Sequence, residues 1–276
     1  MTNWQTEFAP AKVNLALHVM GRRADGYHFL DSLVVFAQVG DTIAARPSAA
    51  LSLALEGPFA KGLSIDEDNL VLRAARLARA GAELRLIKNL PIASGIGGGS
   101  ADAAATLRLL SRISGRSLPE EDAVLALGAD VPVCLLSRSC RMCGIGERVE
   151  PVELPEFWLV LVNPGVPVPT GAVFGGLSSR DNPPLDPLAG IAKIDGLVEY
   201  LARARNDLEA PARRTQPVIE VVLNALRSQS GCRLARMSGS GATCFGVFCS
   251  AADAEAAATS IRHAAPAWWV AATAIV

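Results

Sequence analysis

Hydrophobic and polar positions along the first half of the chain alternate between the two-residue period of strands and the longer period of helices. Residues 8–19 read as a strand with polar interruptions at Lys12 and Asn14, and the turn-rich run MGRRADGYH follows. Residues 30–39 and 42–45 read as two more strands with Gly40-Asp41 as a tight turn between them, and 51–55 alternates again. The run IDEDNLVLRAARLARAG predicts a helix with acidic residues at its start, Asp68 or Asn69 as cap and Gly81 as stop. Next comes a strand over 83–90, in which Leu84 and Leu86 alternate imperfectly with Arg85 and Lys88. A glycine run leads into a helix that begins near Ser100 or Ala101 and is ended by Gly115, and a further helix over 119–127 is closed by Gly128.

Proline and acidic residues break the pattern at 151–157, before the apolar strand WLVLV at 158–162, and a domain boundary is placed there, giving domains over 1–155 and 156–276. A proline-rich loop (Pro164, Pro167, Pro169) and the polar linker SSRDNPPLDP come next, then helical runs over 188–203 and 218–228. CRLARMSGSGATCFGVF reads as strand, glycine turn at Gly239-Ser240-Gly241, and strand. A helix over 251–264 and a closing strand over 268–276 complete a second lobe, so the expected class is α+β in two lobes with no internal repeat.

Composition narrows the function more than the fold. A chain of 276 residues, half of them hydrophobic, can fill two cores. A net charge of −1 offers no basic field for nucleic acid or for an anionic membrane, so any anion must be bound locally. No basic start with an apolar core precedes Lys12, and the longest apolar run, 264–276, contains Pro266 and falls short of the ~20 residues a span needs. A cytoplasmic location is expected. Six cysteines suit a reducing compartment as small buried side chains; Cys140 and Cys143 form a lone CxxC, and three scattered histidines do not complete a zinc site.

The chemistry concentrates in PIASGIGGGSADAAA, 91–105. Glycines let backbone approach a ligand without a Cβ in the way, and the helix that follows aims its unpaired N–H groups back into the loop. The dipole gives an exposed anion only about 0.3–1 kcal/mol, so the aimed N–H groups carry most of a phosphate's binding. The spelling excludes a Walker A loop, because Gly99 is followed by Ser100 and Ala101 rather than lysine and a hydroxyl residue. It also departs from GxGxxG, since Ser100 stands at the third position after Gly97, and from a protein-kinase glycine loop, which joins two strands. Elsewhere, Asp130 follows a helix stop and precedes Val131-Pro132, which the proline holds extended; taken alone it reads as a turn or cap residue. Lys12, taken alone, reads as a strand lysine facing water.

Together these segments resemble the GHMP kinases, the family that includes homoserine, mevalonate and galactose kinases. PAKVNLAL at 10–17, RADGYH at 23–28, PIASGIGGGSADAA at 91–104 and LGADVPV at 127–133 carry the resemblance. They point to the branch of that family whose acceptor is a methylerythritol bearing a cytidine diphosphate. Weaker echoes are DNLVLRAARL, NPGVPVPT, Asn206-Asp207 and SGSGATCF.

The resemblance implies a ribosomal-protein-S5-domain-2-like N-terminal lobe that binds ATP, a ferredoxin-like C-terminal lobe, and an active site in the cleft between them. It implies that Asp130 receives the proton of the acceptor hydroxyl with Lys12 beside it. Around the ATP phosphates it places Pro91, Ile92, Ala93, Ser94, Gly95, Ile96, Gly97, Gly98, Gly99, Ser100 and Ala101, with Asn69 and Lys88 on the adenine side. Magnesium is expected, with Ser100 near it. For the acceptor it implies Tyr27 stacked on the cytosine, Phe174 on the other face, Asn14 and His28 hydrogen-bonding the base or adjoining groups, and Thr170 also in contact. Gly239 and Gly241 belong to a turn that closes on the phosphate loop, and Asp31, Asn206 and Asp207 are supporting residues. No nucleic acid, membrane or obligate protein partner is expected. The loop departs from the commoner GLGGGSSDAA form at Ile96 and Ala101, the second of which lacks a hydroxyl. Sister kinases for homoserine or a mevalonate-type alcohol, and a non-catalytic nucleotide-binding relative, are the alternatives.

Overall fold

The computed structural model describes residues 3–24, 26–188 and 190–276. It forms two compact units that share the chain in pieces: unit 1 holds the chain up to Lys12, Val39–Ile92 and Gly97–Ser137, and unit 2 holds Val13–Gln38, Ala93–Ile96 and Arg138–Val276. Two long paired strands, β1 (Gln5–Arg22) and β2 (His28–Pro47), contribute to both.

In unit 1 the last part of β2 lies antiparallel to β4 (Ala82–Ile87), from Thr42 opposite Ile87 to Pro47 opposite Ala82. The strand β3 (Ser52–Glu56) adds in parallel to β4. Helix α1 (Leu70–Leu77) is capped by Asn69, whose Oδ1 accepts from the Val71 N–H at 2.9 Å. Helix α2 (Gly98–Ser114) buries Ala101, Ala103, Ala104 and Ala105 together with Leu107 and Leu110. Alanine loses no side-chain entropy in a helix and lets other backbones come close, which suits a helix covered on several sides. It packs against α1 and against α4 (Val131–Leu136), which follows α3 (Glu121–Leu127).

Unit 2 contains β5 (Cys140–Gly144), antiparallel to the Leu30–Val34 part of β2, and β6 (Arg148–Pro151), antiparallel to β5. The elements β7 (Trp158–Asn163), α5 (Thr170–Gly175), α6 (Ile194–Arg203), α7 (Glu209–Thr215), α8 (Val218–Arg227), β8 (Leu234–Met237), β9 (Cys244–Phe248), α9 (Ala251–Ala264) and β10 (Trp269–Ala274) follow. Four of these strands make an antiparallel sheet in the order β10-β7-β9-β8. Val160 and Val162 of β7 pack with Val222 and Leu226 of α8 and with Ala258 and Ile261 of α9 in the core of this unit. Each such aliphatic side chain larger than alanine contributes about 1.5–3 kcal/mol by leaving water. The class is α+β, with a mixed strand-and-helix unit and a second antiparallel sheet covered by helices.

Several local expectations change. Gly40-Asp41 is no turn: β2 runs through it unbroken, because a Cβ on Gly40 would stand 2.2 Å from the Ala9 carbonyl oxygen and the missing side chain lets the two strands close up. Gly81 does not stop α1; the helix ends at Ala78, and Arg79 turns the chain with a φ of 50°. Helix α2 starts at Gly98, earlier than the alanines suggest. Asp130 and Val131-Pro132 are not extended: Asp130 has φ −89° and ψ −8° and leads into α4, where proline occupies the first turn and its missing N–H costs nothing. Leu188 and residues 190–193 precede α6 rather than belonging to it, and α5, α7 and the β5–β6 hairpin stand where no element was expected. The CxxC cysteines lie on β5 and, like the other four, are free thiols.

Candidate active site

The glycine loop joins β4 to α2 and is shaped by two sets of neighbours. Gly97 is the N-cap of α2, and the helix's own ladder starts with the Ala101 N–H bonding back to the Gly97 carbonyl at 2.8 Å. The N–H groups of Gly98, Gly99 and Ser100 therefore have no partner within the helix and face the loop. A Cβ on Gly97 would stand 3.1 Å from the Cβ of Lys12, so the lysine stem lies directly against the helix entrance. Lys12 is buried in β1 and its Nζ donates to Asp130 Oδ1 at 2.7 Å. Asp130 stands at the N-cap position of α4 without using its side chain as a cap; the carboxylate goes to Lys12 and stays 38% exposed, open to a reactant. Gly128, two residues before Asp130, would bring a Cβ within 4.0 Å of Ser100 Oγ. Unit 1 thus gathers the helix entrance, Ser100, Lys12 and Asp130 in one place.

The middle of the loop, Ala93–Ile96, makes its contacts within unit 2. Gly95 has φ +74°, and a Cβ there would meet the Ser238 carbonyl oxygen at 2.6 Å and that of Gly241 at 2.7 Å, so only glycine fits. Ser238 ties the two glycine turns together: its hydroxyl donates to the Gly95 carbonyl at 3.0 Å and accepts from the Asn14 N–H at 3.1 Å. Asn206 holds the second turn by donating from Nδ2 to the carbonyls of Met237 and Gly239, both at 2.8 Å. The Thr170 and Ser240 hydroxyls are hydrogen-bonded at 3.0 Å. Gly239 and Gly241 therefore lie against the glycine loop at Gly95.

Among the residues expected at the acceptor, Asn14 is buried; its Nδ2 donates to Ser32 Oγ at 2.8 Å, and its Oδ1 has no hydrogen-bond partner among the described residues. His28 Nε2 is likewise buried with no hydrogen-bond partner among the described residues. Burial, then the nearby Arg22 and Arg180, lowers the His28 pKa, so the imidazole is neutral at neutral pH. Its ring, not that of Tyr27, lies on Phe174, with centroids 4.6 Å apart and planes 23° from parallel. The imidazole covers one face of Phe174, a contact the sequence did not suggest. Tyr27 is 57% exposed. Asp25 of the DGYH run lies outside the described residues. Asp31 and Asp207 serve structure, Asp31 accepting two bonds from Arg141 and one from the Leu185 N–H, Asp207 accepting from the Val19 N–H.

On the nucleotide side, the Lys88 and Asn69 side chains are both engaged within the protein. Lys88 is 2% exposed, and its ammonium donates to Asp41 Oδ2 at 2.5 Å and Asp102 Oδ2 at 2.8 Å. Its charge is spent inside the protein. Asn69 uses its carbonyl as the α1 cap and donates from Nδ2 to the Ser64 carbonyl at 2.7 Å, which leaves one amide hydrogen. Asp41 and Asp102 were not anticipated, although an acid inside the alanine run of α2 was a visible signal. Burial and the neighbouring Asp41, opposed by Lys88, push the Asp102 carboxyl up to about 7.

The GHMP kinase N-terminal domain model matches residues 69–138, and the GHMP kinase C-terminal model matches 193–267. A 4-diphosphocytidyl-2-C-methyl-D-erythritol kinase from Cereibacter sphaeroides (strain ATCC 17025 / ATH 2.4.3) is 57% identical over 95% of this chain and 96% of its own. One from Paracoccus denitrificans (strain Pd 1222) is 57% identical over 97% of this chain and 95% of its own. A crystal structure of 4-(cytidine 5'-diphospho)-2C-methyl-D-erythritol kinase superposes with a TM-score of 0.79 at 34% identity, covering 98% of this chain and 99% of that one. A homoserine kinase from Cytophaga hutchinsonii shares the fold at a TM-score of 0.63 and 18% identity, covering 100% of this chain and 96% of that one. With near-full-length relatives above half identity and both lobes matched, the chain belongs to the GHMP kinases and, within them, to the 4-diphosphocytidyl-2-C-methyl-D-erythritol kinase family.

Proposed function

We propose that the chain is an ATP-dependent kinase that phosphorylates the 2-hydroxyl of 4-diphosphocytidyl-2-C-methyl-D-erythritol, giving the 2-phosphate and ADP, in the non-mevalonate route to isopentenyl diphosphate. The observation that carries this reading is the 2.7 Å Lys12–Asp130 pair against the entrance of α2. The loop 91–101 takes the nucleotide's phosphates on the free N–H groups of α2, and Asn69 keeps one amide hydrogen for the adenine side. The acceptor oxygen attacks the γ-phosphorus, the bond to the β,γ-bridging oxygen breaks, ADP leaves, and the acceptor proton passes to Asp130. In a loose, metaphosphate-like transition state little proton removal is needed early, so Asp130 acts first by orienting the hydroxyl. Lys12 offsets the charge of the migrating phosphoryl group and fixes Asp130.

The partnerless Asn14 Oδ1 is a hydrogen-bond acceptor, and neutral His28 can serve as donor or acceptor according to tautomer; both suit the cytosine base. Tyr27 supplies an exposed ring, and stacking on a base is worth about 1–3 kcal/mol. Thr170 completes the set. The described residues hold no group of three or more His, Cys, Asp or Glu that could hold a metal. That fits magnesium, which takes one or two protein oxygens and keeps phosphates and waters as its other ligands. Ser100 is the hydroxyl suited to it, and the ion supplies neutralisation of phosphate charge. Domains over 1–155 and 156–276 and a cytoplasmic setting, consistent with six free thiols, belong to the same reading.

ADP release measured across a panel of alcohols, with and without the cytidine diphosphate, tests it. Turnover is expected only with the cytidine-bearing acceptor, and Asp130→Asn is expected to abolish it while ATP affinity stays within a few-fold. Equal turnover of homoserine or mevalonate, or a fully active Asp130→Asn, overturns the reading.

A further inference from the structure

Beneath the entrance of α2 is a cluster with no part in the transfer chemistry. Asp41 is fully buried in the middle of β2. Its Oδ1 accepts from the Asn89 and Leu90 N–H groups at 2.6 and 2.8 Å, which fixes the backbone just before the glycine loop. Its Oδ2 accepts from Lys88 Nζ, and the same ammonium reaches Asp102 in the second turn of α2, just after the loop. A Cβ on Gly98 would stand 2.9 Å from Lys88 Nζ, so the first residue of the helix rests on the ammonium itself. The two ends of the loop are thus fastened to one buried ion cluster.

The cluster is an expensive way to hold a fold. Each buried ion loses several kcal/mol of hydration, and apolar residues of similar size often serve stability as well or better. Asp102 Oδ1 has no partner among the described residues, which adds to the cost. Nor does the cluster attract phosphate, since two acids outnumber one lysine. What it does supply is direction: charge-assisted hydrogen bonds fix distance and angle where apolar packing permits sliding.

We propose that Asp41, Lys88 and Asp102 are positioning residues that hold the two ends of the glycine loop in register, so that the free N–H groups of α2 converge on the nucleotide's phosphates. The inference rests on the reading of this loop as the phosphate holder, and its test separates the two. In Asp102→Leu, Lys88 keeps Asp41 as its counter-ion, so the protein is expected to fold while the exit of the loop is released. Hydrogen exchange of the ligand-free protein is expected to show lost protection at the first hydrogen-bonded amides of α2, 101–104, and unchanged protection in unit 2's sheet. The KM for ATP is expected to rise about tenfold, with the acceptor KM within twofold. Asp102→Asn, whose amide oxygen still accepts from Lys88, is expected to restore both. Asp41→Asn turns an amide hydrogen or a weaker acceptor toward Lys88 and is expected to act like Asp102→Leu, which keeps the test decisive if the leucine variant does not fold. Unchanged exchange and unchanged ATP KM in the folded variants overturn the proposal, as does an equal rise in both KM values. Loss of exchange protection with an unchanged ATP KM leaves the clamp standing and overturns its link to the nucleotide.

Discussion

Lys12 gains its meaning from where its charge ends. A lysine inside a strand buried on both faces has given up hydration, and a single carboxylate at 2.7 Å is what it has in return among the described residues. Asp130, by contrast, remains partly open to solvent. One ion is fixed and the other is available, which is the division the proposed base requires. Lys12→Met is expected to reduce kcat by about 10²–10³, the loss typical of removing one transition-state charge donor, with the KM for ATP within a few-fold. Steady-state kinetics at saturating acceptor checks it, and a kcat within threefold of the parent would show that the ammonium only holds the fold. At this scale the sequence made Lys12 and Asp130 legible through their surrounding motifs alone. The buried ion cluster at Lys88 was not legible, because spacing along a strand does not reveal Asp41, 47 positions earlier, waiting to receive its charge.

At the scale of elements, glycine decides more than periodicity does. Gly40 looked like a turn and is instead a strand residue pressed against a neighbouring carbonyl; Gly81 looked like a helix stop and lies three residues beyond the cap residue Ala78. The type of a glycine depends on what approaches it, and that partner is distant in sequence. Long periodic elements were readable for the opposite reason: α9 is set by its own spacing and by the Ser250 hydroxyl, which accepts from the Asp253 N–H at 3.1 Å. The short α5 and α7, at six and seven residues, carry too few turns for a pattern. The contact between the two glycine turns gives an element-level expectation. Gly95→Ala combines a left-handed conformation, costing about 1–2 kcal/mol, with overpacking against two carbonyl oxygens, costing about 1–3 kcal/mol. A loss of about 2–5 kcal/mol in denaturant unfolding, with weakened ATP binding, is expected. A variant as stable as the parent would mean that the Ser238–Gly241 turn yields freely.

For the molecule as a whole, two-lobed α+β architecture followed from chain length and element order, whereas the interleaving of the units along the chain did not, because no local pattern marks where a strand passes from one set of neighbours to another. Stability against pH is where contributions from the whole molecule combine. His18 is neutral with its proton on Nδ1, 2.9 Å from the Pro183 carbonyl, while Nε2 accepts from the Arg205 N–H at 3.2 Å; burial first, and Arg205 also, lower its pKa, as they do for His28 with its own arginines. A histidine depressed below 6.5 on folding binds more protons when unfolded, so its contribution is lost as pH falls through that value. Asp102, pushed up to about 7, runs the other way, binding its proton more tightly when folded, so that between about pH 4 and 7 acidification favours the fold at this site. Asp31 and Glu7 are raised by burial but lowered further by Arg141 and by Arg108 and Arg112, for a net depression. Their contribution is fully present above the unfolded carboxylate range and disappears as pH drops through their folded values. Opposed signs in the middle and a common sign at the acid end give a shallow dependence of Tm from pH 7 to about 4.5 and a steep fall below about 4. Asp31→Asn is expected to lower Tm at neutral pH and to flatten the acid limb, since the charge that Arg141 rewards is gone. Thermal unfolding across pH 3–8 checks both, and a steep loss already starting at pH 6.5 would mean that the histidines outweigh Asp102.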